Sequence, residues 1–97
     1  MRPVPEASFD MSISREEFLS RLPAAVGGDP YVEEGSALVY RGDARGWRID
    51  LESLPDLQIA LVRLERLRVR LDFENYDEAE VQRFLRRFHL YFRRGGG

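Results

Sequence analysis

The chain contains no cysteine, no lysine, no threonine and only one histidine. Each absence closes off a chemistry. Without cysteine there is no thiolate nucleophile, no disulfide and no zinc–thiolate site. Without lysine there is no Schiff base and no phosphate-gripping lysine of the P-loop kind. A lone histidine, His89, cannot build a two-histidine metal site by itself. Serines are present, but none stands in a G-x-S-x-G context. Long apolar runs are missing too, and nothing approaches the roughly 20 residues of a membrane span. The opening MRPVPEASFD lacks the apolar segment of a signal peptide. A cytoplasmic protein without membrane contact, metal or cofactor is the expectation.

All 15 basic residues are arginine. Arginine codons can be GC-rich and lysine codons are AT-rich, which suggests a GC-rich bacterial genome and says nothing about function. The chain has 97 residues, 43% of them hydrophobic, and a net charge of −2. That length fits one domain, which buries roughly two-thirds of the unfolded chain's surface. Residues 10–94 are read as that domain, with a loose arm over 1–9, where Pro3 and Pro5 stand, and a flexible tail at 95–97.

Two helix starts are written in the sequence. Ser14 and Glu17 form a capping box, with Ile13 and Phe18 as the hydrophobic staple. The helix is expected from Arg15 to about Leu22, where Pro23 interferes, with an extra turn through Val26 as the alternative. Gly27-Gly28-Asp29-Pro30 ends it. Asp77 and Glu80 form the second box, with Tyr76 and Val81 as its staple. Val81, Phe84, Leu85, Phe88 and Phe92 then fall on one helical face. Acidic residues fill the first turn, and Arg93 and Arg94 follow at the end, matching the helix dipole.

Between the helices the pattern changes to a period of two. Ser36–Arg41 and Gly46–Glu52 read as a hairpin around the Gly42–Arg45 turn, with Trp47, Ile49 and Leu51 on one face. Leu67, Val69, Leu71 and Phe73 alternate with Arg66, Arg68, Arg70 and Asp72, a second clear strand. The segment Leu57–Val62 is ambiguous. Leu57, Ala60, Leu61, Leu64 and Leu67 have helical spacing, yet Ile59 and Val62 fall off that stripe, which favours a strand. No Gly or Asn marks a tight turn before Leu67. The sum is an α+β fold: an N-terminal helix, a mostly antiparallel meander of three or four strands, and a long C-terminal amphipathic helix, both helices on one face.

The terminal RRGGG resembles the ends of ubiquitin-like proteins and small sulfur carriers. In that family the glycines follow a β-strand and a helix lies in mid-chain; here they follow a long helix and mid-chain reads as sheet. A glycine C-cap at Gly95 accounts for the ending.

Charge is uneven: residues 1–62 hold six arginines and eleven acids, and residues 63–97 hold nine arginines and six acids. Arg66, Arg68, Arg70, Arg83, Arg86 and Arg87 form the candidate surface for RNA or an acidic partner, unless Asp50 and Glu52 pair with the strand patch Arg66, Arg68 and Arg70 across the sheet. The last helix offers no aromatic stacking platform on its polar side, so nucleic acid is the weaker idea. Leu90, among Arg83, Arg86, Arg87 and Arg94, is the first candidate contact for a protein partner or a second copy. His89 sits at the flank of the apolar stripe and is expected to pack beside aromatics. An enzyme built on His89 and carboxylates would need a pocket holding both. No catalytic residue is assigned. The function expected is protein interaction or an accessory role.

Overall fold

The computed structural model describes residues 6–92. The order is β1 (Glu6–Met11), α1 (Arg15–Ala25), β2 (Val32–Glu34), β3 (Ala37–Arg41), β4 (Gly46–Ile59), β5 (Val62–Glu74) and α2 (Glu78–Phe92). The strands form one antiparallel sheet in the order β1-β5-β4-β3-β2. The α+β class, the antiparallel sheet and the C-terminal helix agree with the sequence reading. The strand count does not, since five strands form rather than three or four. Both additions are edges. β1 includes residues 6–9 of the expected arm and pairs with β5 from Glu6↔Asp72 to Met11↔Leu67. Its alternation is short, but Ala7, Phe9 and Met11 gain a core to pack against. β2 has only three residues, all exposed. Pro3, Pro5 and the RRGGG tail, with the expected Gly95 cap, lie outside the described residues.

Both capping boxes form at their backbones. The Glu17 N–H donates to Ser14 Oγ at 3.1 Å, while the Glu17 carboxylate pairs with Arg21 one turn on, at 2.6 Å. At α2 the exchange is reciprocal: Glu80 N–H to Asp77 Oδ1 at 2.8 Å and Asp77 N–H to Glu80 Oε1 at 3.1 Å. α1 takes the longer of its two expected courses and runs past Pro23 to Ala25. Leu22 and Ala25 are fully buried, so packing outweighs the local disfavour of proline. Gly27 and Gly28 then adopt φ of +69° and +83°, the left-handed geometry that ends a helix.

The core lies between the helices and one sheet face. Trp47, Ile49 and Leu51 of β4 stand opposite Phe73, Leu71 and Val69 of β5. These six meet Phe18 and Leu22 of α1 and Val81, Phe88 and Phe92 of α2. Phe88 is the centre, with no exposed surface. Its ring centroid lies 4.6 Å from Phe92, 6.2 Å from Phe18 and Phe84, and 6.4 Å from Phe9. The Trp47 indole N–H donates to Asp29 Oδ2 at 3.0 Å, satisfying its one polar group.

The sequence divided residues 46–74 into three strand segments; the chain makes two strands of 14 and 13 residues. They turn at Ala60-Leu61, where Ala60 carries φ of 54°. No glycine marks this turn, so its sequence signal was absent. Strands this long reach roughly 43–46 Å at 3.3 Å per residue, which accounts for the 48 Å long axis against 30 and 27 Å across. β3 covers β4 only over Gly46–Asp50, and β1 covers β5 only over Leu67–Asp72. Beyond those limits the β4–β5 hairpin projects as a two-stranded ribbon.

Candidate interaction surface

The sheet face away from the helices begins as a charged ladder. Arg68 makes a two-pronged contact with Asp10, Nε to Oδ1 at 2.9 Å and Nη2 to Oδ2 at 3.3 Å. Arg66 approaches the same carboxylate at 3.9 Å, and Arg70 donates to Glu6 Oε2 at 3.1 Å. The expected partners, Asp50 and Glu52, do stand opposite Arg70 and Arg68 in register. Asp50 is taken by Arg48 on its own strand, whose Nε and Nη2 donate to Oδ2 and Oδ1 at 3.0 Å each. The ladder therefore closes onto β1, the strand that the sequence reading missed. The hydrogen bonds from Arg68 to Asp10 hold that carboxyl below its ordinary value. Asp72, on the same face, is raised, first by burial and then by Glu6 and Asp50 nearby, with Arg70 opposing. Arg66, Arg68 and Arg70 all spend their charge within the chain.

On α2, Arg83, Arg86 and Leu90 are exposed at helical spacing, Leu90 by 65%. Among the described residues neither Arg83 nor Arg86 makes an ion pair. Arg87 is different. Its Nε donates to the Ala24 carbonyl at 2.9 Å, and its guanidinium lies 5.2 Å over the Tyr91 ring. The same carbonyl accepts from the Gly27 N–H at 3.1 Å, so Arg87 fastens α2 to the last turn of α1 through an oxygen already at the helix end. Arg94 lies outside the described residues. The helix surface thus offers Leu90 with two arginines, and the third is a clasp.

The largest unassigned apolar surface is the projecting hairpin, and a β-bulge makes it. Along β4 the pairing reads Leu54↔Arg66, then resumes at Leu57↔Leu64, Gln58↔Arg63 and Ile59↔Val62. One extra residue is absorbed at Pro55-Asp56, a bulge site where proline is tolerated. Below the bulge, β4 turns its odd-numbered residues toward the core. Above it the parity reverses, because successive side chains alternate faces and one residue has been inserted. Leu57 and Ile59 therefore join Val62 and Leu64 on the face of Arg66 and Arg68, with Leu54 beside them. Asp56 and Arg63 pair at 3.1 Å. Leu57, Ile59 and Val62 are 40, 57 and 56% exposed, and Leu61 at the tip is 99% exposed. With half-buried Leu54 and Leu64 the patch comes to roughly 450 Å², the range of the largest patch on an ordinary monomer, where function is common.

Sequence reasoning missed this surface because its apolar residues mimic a helix. The bulge and the two-residue turn each shift the parity, giving Leu54, Leu57, Leu61, Leu64 and Leu67. The available signal was Pro55 inside a strand-like run, which points to an edge or a bulge.

Two other features complete the picture. A cleft of about 550 Å³ opens around the β3–β4 turn, lined by Tyr40, Arg41, Arg45, Trp47, Asp72 and Asn75 among others. Its arginines are engaged, Arg41 with Glu34 and Arg45 with Glu80. His89 is elsewhere, edge-on to Phe9 at 4.5 Å, beside aromatics as its helical position suggested. Among the described residues no group of three or more His, Asp or Glu could hold a metal ion. No helix among them is long and apolar enough to cross a membrane. Compared with protein-family models, curated proteins and solved structures, the chain finds no significant match.

Proposed function

We propose that the protein is a small cytoplasmic interaction domain whose contact surface is the apolar face of the β4–β5 hairpin. One observation carries the reading: five aliphatic side chains, Leu54, Leu57, Ile59, Val62 and Leu64, are turned to one side of a ribbon that has no covering element among the described residues. A ribbon with one apolar face must bury it against another element, and an isolated two-stranded hairpin is marginal in water. Burying the patch is worth about 11 kcal/mol gross at 25 cal/mol/Å², of which association entropy and ordering leave only part. The paired arginines of the ladder support a protein partner over a nucleic acid, which needs free cationic charge.

The test is affinity capture with the intact chain and with Leu57→Glu. The variant should fold normally, because Leu57 does not enter the core, and should lose the proteins that wild type retains. Identical capture by both would reject the hairpin as the contact surface. Leu90→Glu serves as the comparison for a second reading, supported by Leu90 beside Arg83 and Arg86 on α2. If only that substitution removes the partners, the helix surface is the site.

A further inference from the structure

The hairpin face has the geometry of half of a symmetric interface, and we infer that its occupant is a second copy of this chain. The inference rests on the hairpin reading above and adds the partner's identity. Three observations favour it over other occupants.

The first is charge. Residues 52–66 hold Glu52, Asp56 and Glu65 against Arg63 and Arg66, and Asp56 with Arg63 is already paired. The finger is close to neutral. It has no excess of one sign to attract an anionic lipid surface, a nucleic acid or a charged peptide. It also has none to repel its own image. The second is area. A patch of roughly 450 Å² on each copy buries roughly 900 Å² between two, and the rim brings this to the lower limit for a specific interface, about 1,000 Å². A single patch suffices, because a two-fold interface uses the same surface on both subunits.

The third is shape. Above the bulge the face is a square of four side chains. One row is Leu57 with Leu64, and the next is Ile59 with Val62. A two-fold axis across the strands, between the rows, reverses one ribbon on the other. Leu57 then meets the second copy's Ile59, and Leu64 meets its Val62. Each γ-branched side chain packs on a β-branched one, and the two ribbons form a four-stranded sandwich with a dry centre. The tips point in opposite directions, which places the two helical layers at opposite ends and on outward faces. Leu61 of each tip lies over Leu54 and the stem of Arg66 at the other's base. An interface at this lower size limit belongs with the weak, reversible ones, so the dimer is to be sought at high protein concentration.

The pairing of Leu57 with Ile59 dictates the experiment. Wild type, Leu57→Glu and Ile59→Arg are compared by sedimentation equilibrium up to about 500 µM, a range that resolves Kd values from micromolar upward. Wild type should approach twice 11.3 kDa. Each single variant carries its substitution at both two-fold-related contacts, so at about tenfold per contact its dimerisation should weaken about 100-fold, with an unchanged melting temperature in samples dilute enough to be monomeric. Mixing the two variants should restore a dimer. The introduced glutamate of one chain would face the introduced arginine of the other at one contact, and the native Ile59 and Leu57 would meet at the second. A wild-type chain that remains monomeric throughout overturns the second-copy inference, while the capture experiment still decides the hairpin reading. A dimer untouched by either variant uses another surface and overturns the second-copy inference, and the capture experiment again decides the hairpin reading. Monomeric variants that do not recombine overturn the proposed packing.

Discussion

Replacing Phe88 with alanine should remove most of the domain's stability. The ring is fully buried among Phe9, Phe18, Phe84 and Phe92, joining β1, α1 and α2 at one point. Phe88→Ala deletes roughly 100 Å³ of side chain, and at about 24 cal/mol per Å³ an uncollapsed cavity costs about 2.4 kcal/mol. Lost transfer free energy adds about 2 kcal/mol. The total, about 4 kcal/mol, is a large part of the roughly 5–15 kcal/mol that holds a domain folded. For a chain of this size each kcal/mol lowers Tm by about 4–8 °C, so a fall of about 15–30 °C is expected. Thermal melts followed by far-UV circular dichroism measure it directly. Leu90→Ala on the same helix is the control and should change stability by less than about 0.5 kcal/mol. A Phe88→Ala melt within about 5 °C of wild type would show that the three elements do not meet at this ring.

Three further outcomes follow from named contacts. Arg87→Ala should cost about 1 kcal/mol by removing the bond to the Ala24 carbonyl, whereas Arg86→Ala should stay within about 0.5 kcal/mol; equal effects in denaturant titrations would remove the clasp. Ala60→Gly should stabilise the hairpin tip by up to about 1 kcal/mol, because a left-handed φ strains alanine and not glycine. Faster amide exchange at Ile59 and Val62 in that variant would contradict it. Asp10 has a lowered folded pKa, so its contribution is present above the unfolded pKa and is lost as pH falls through the folded one. Asp10→Asn should therefore flatten the acid limb of the stability–pH curve, and an unchanged limb would show that the Arg68 contact is not maintained in solution.

Where local chemistry and packing agreed, the sequence was readable. Asp77 and Glu80 marked α2 because the cap is a contact between residues three apart, and Val81 through Phe92 kept helical spacing to the end. Trp47, Ile49 and Leu51 declared a strand because one face met a core. The unreadable parts depended on distant partners. Ala7, Phe9 and Met11 form a strand only because β5, far along the chain, offers an edge. The arginine ladder was expected to close on Asp50 and Glu52, but β1 supplied Asp10 and Glu6 instead. The hairpin was hidden twice, once by an alanine in a position glycine usually fills, and once by a bulge that gave strand residues helical spacing. That second disguise concealed the candidate site itself, because the parity shift at Pro55 puts Leu57 and Ile59 on the exposed face.

The central claim is that this face is covered by a second copy. Hydrogen–deuterium exchange over residues 52–66, at a protein concentration well below the dimer Kd and again well above it, tests that claim most directly. A lone two-stranded ribbon opens readily, so its amides should exchange fast in the dilute sample. In the concentrated sample the amides of Leu57–Leu64 should be protected about tenfold or more even where they exchange by local opening, whereas Val69–Phe73 in the core can gain only through the added global stability. Identical exchange across the hairpin at both concentrations would contradict the account.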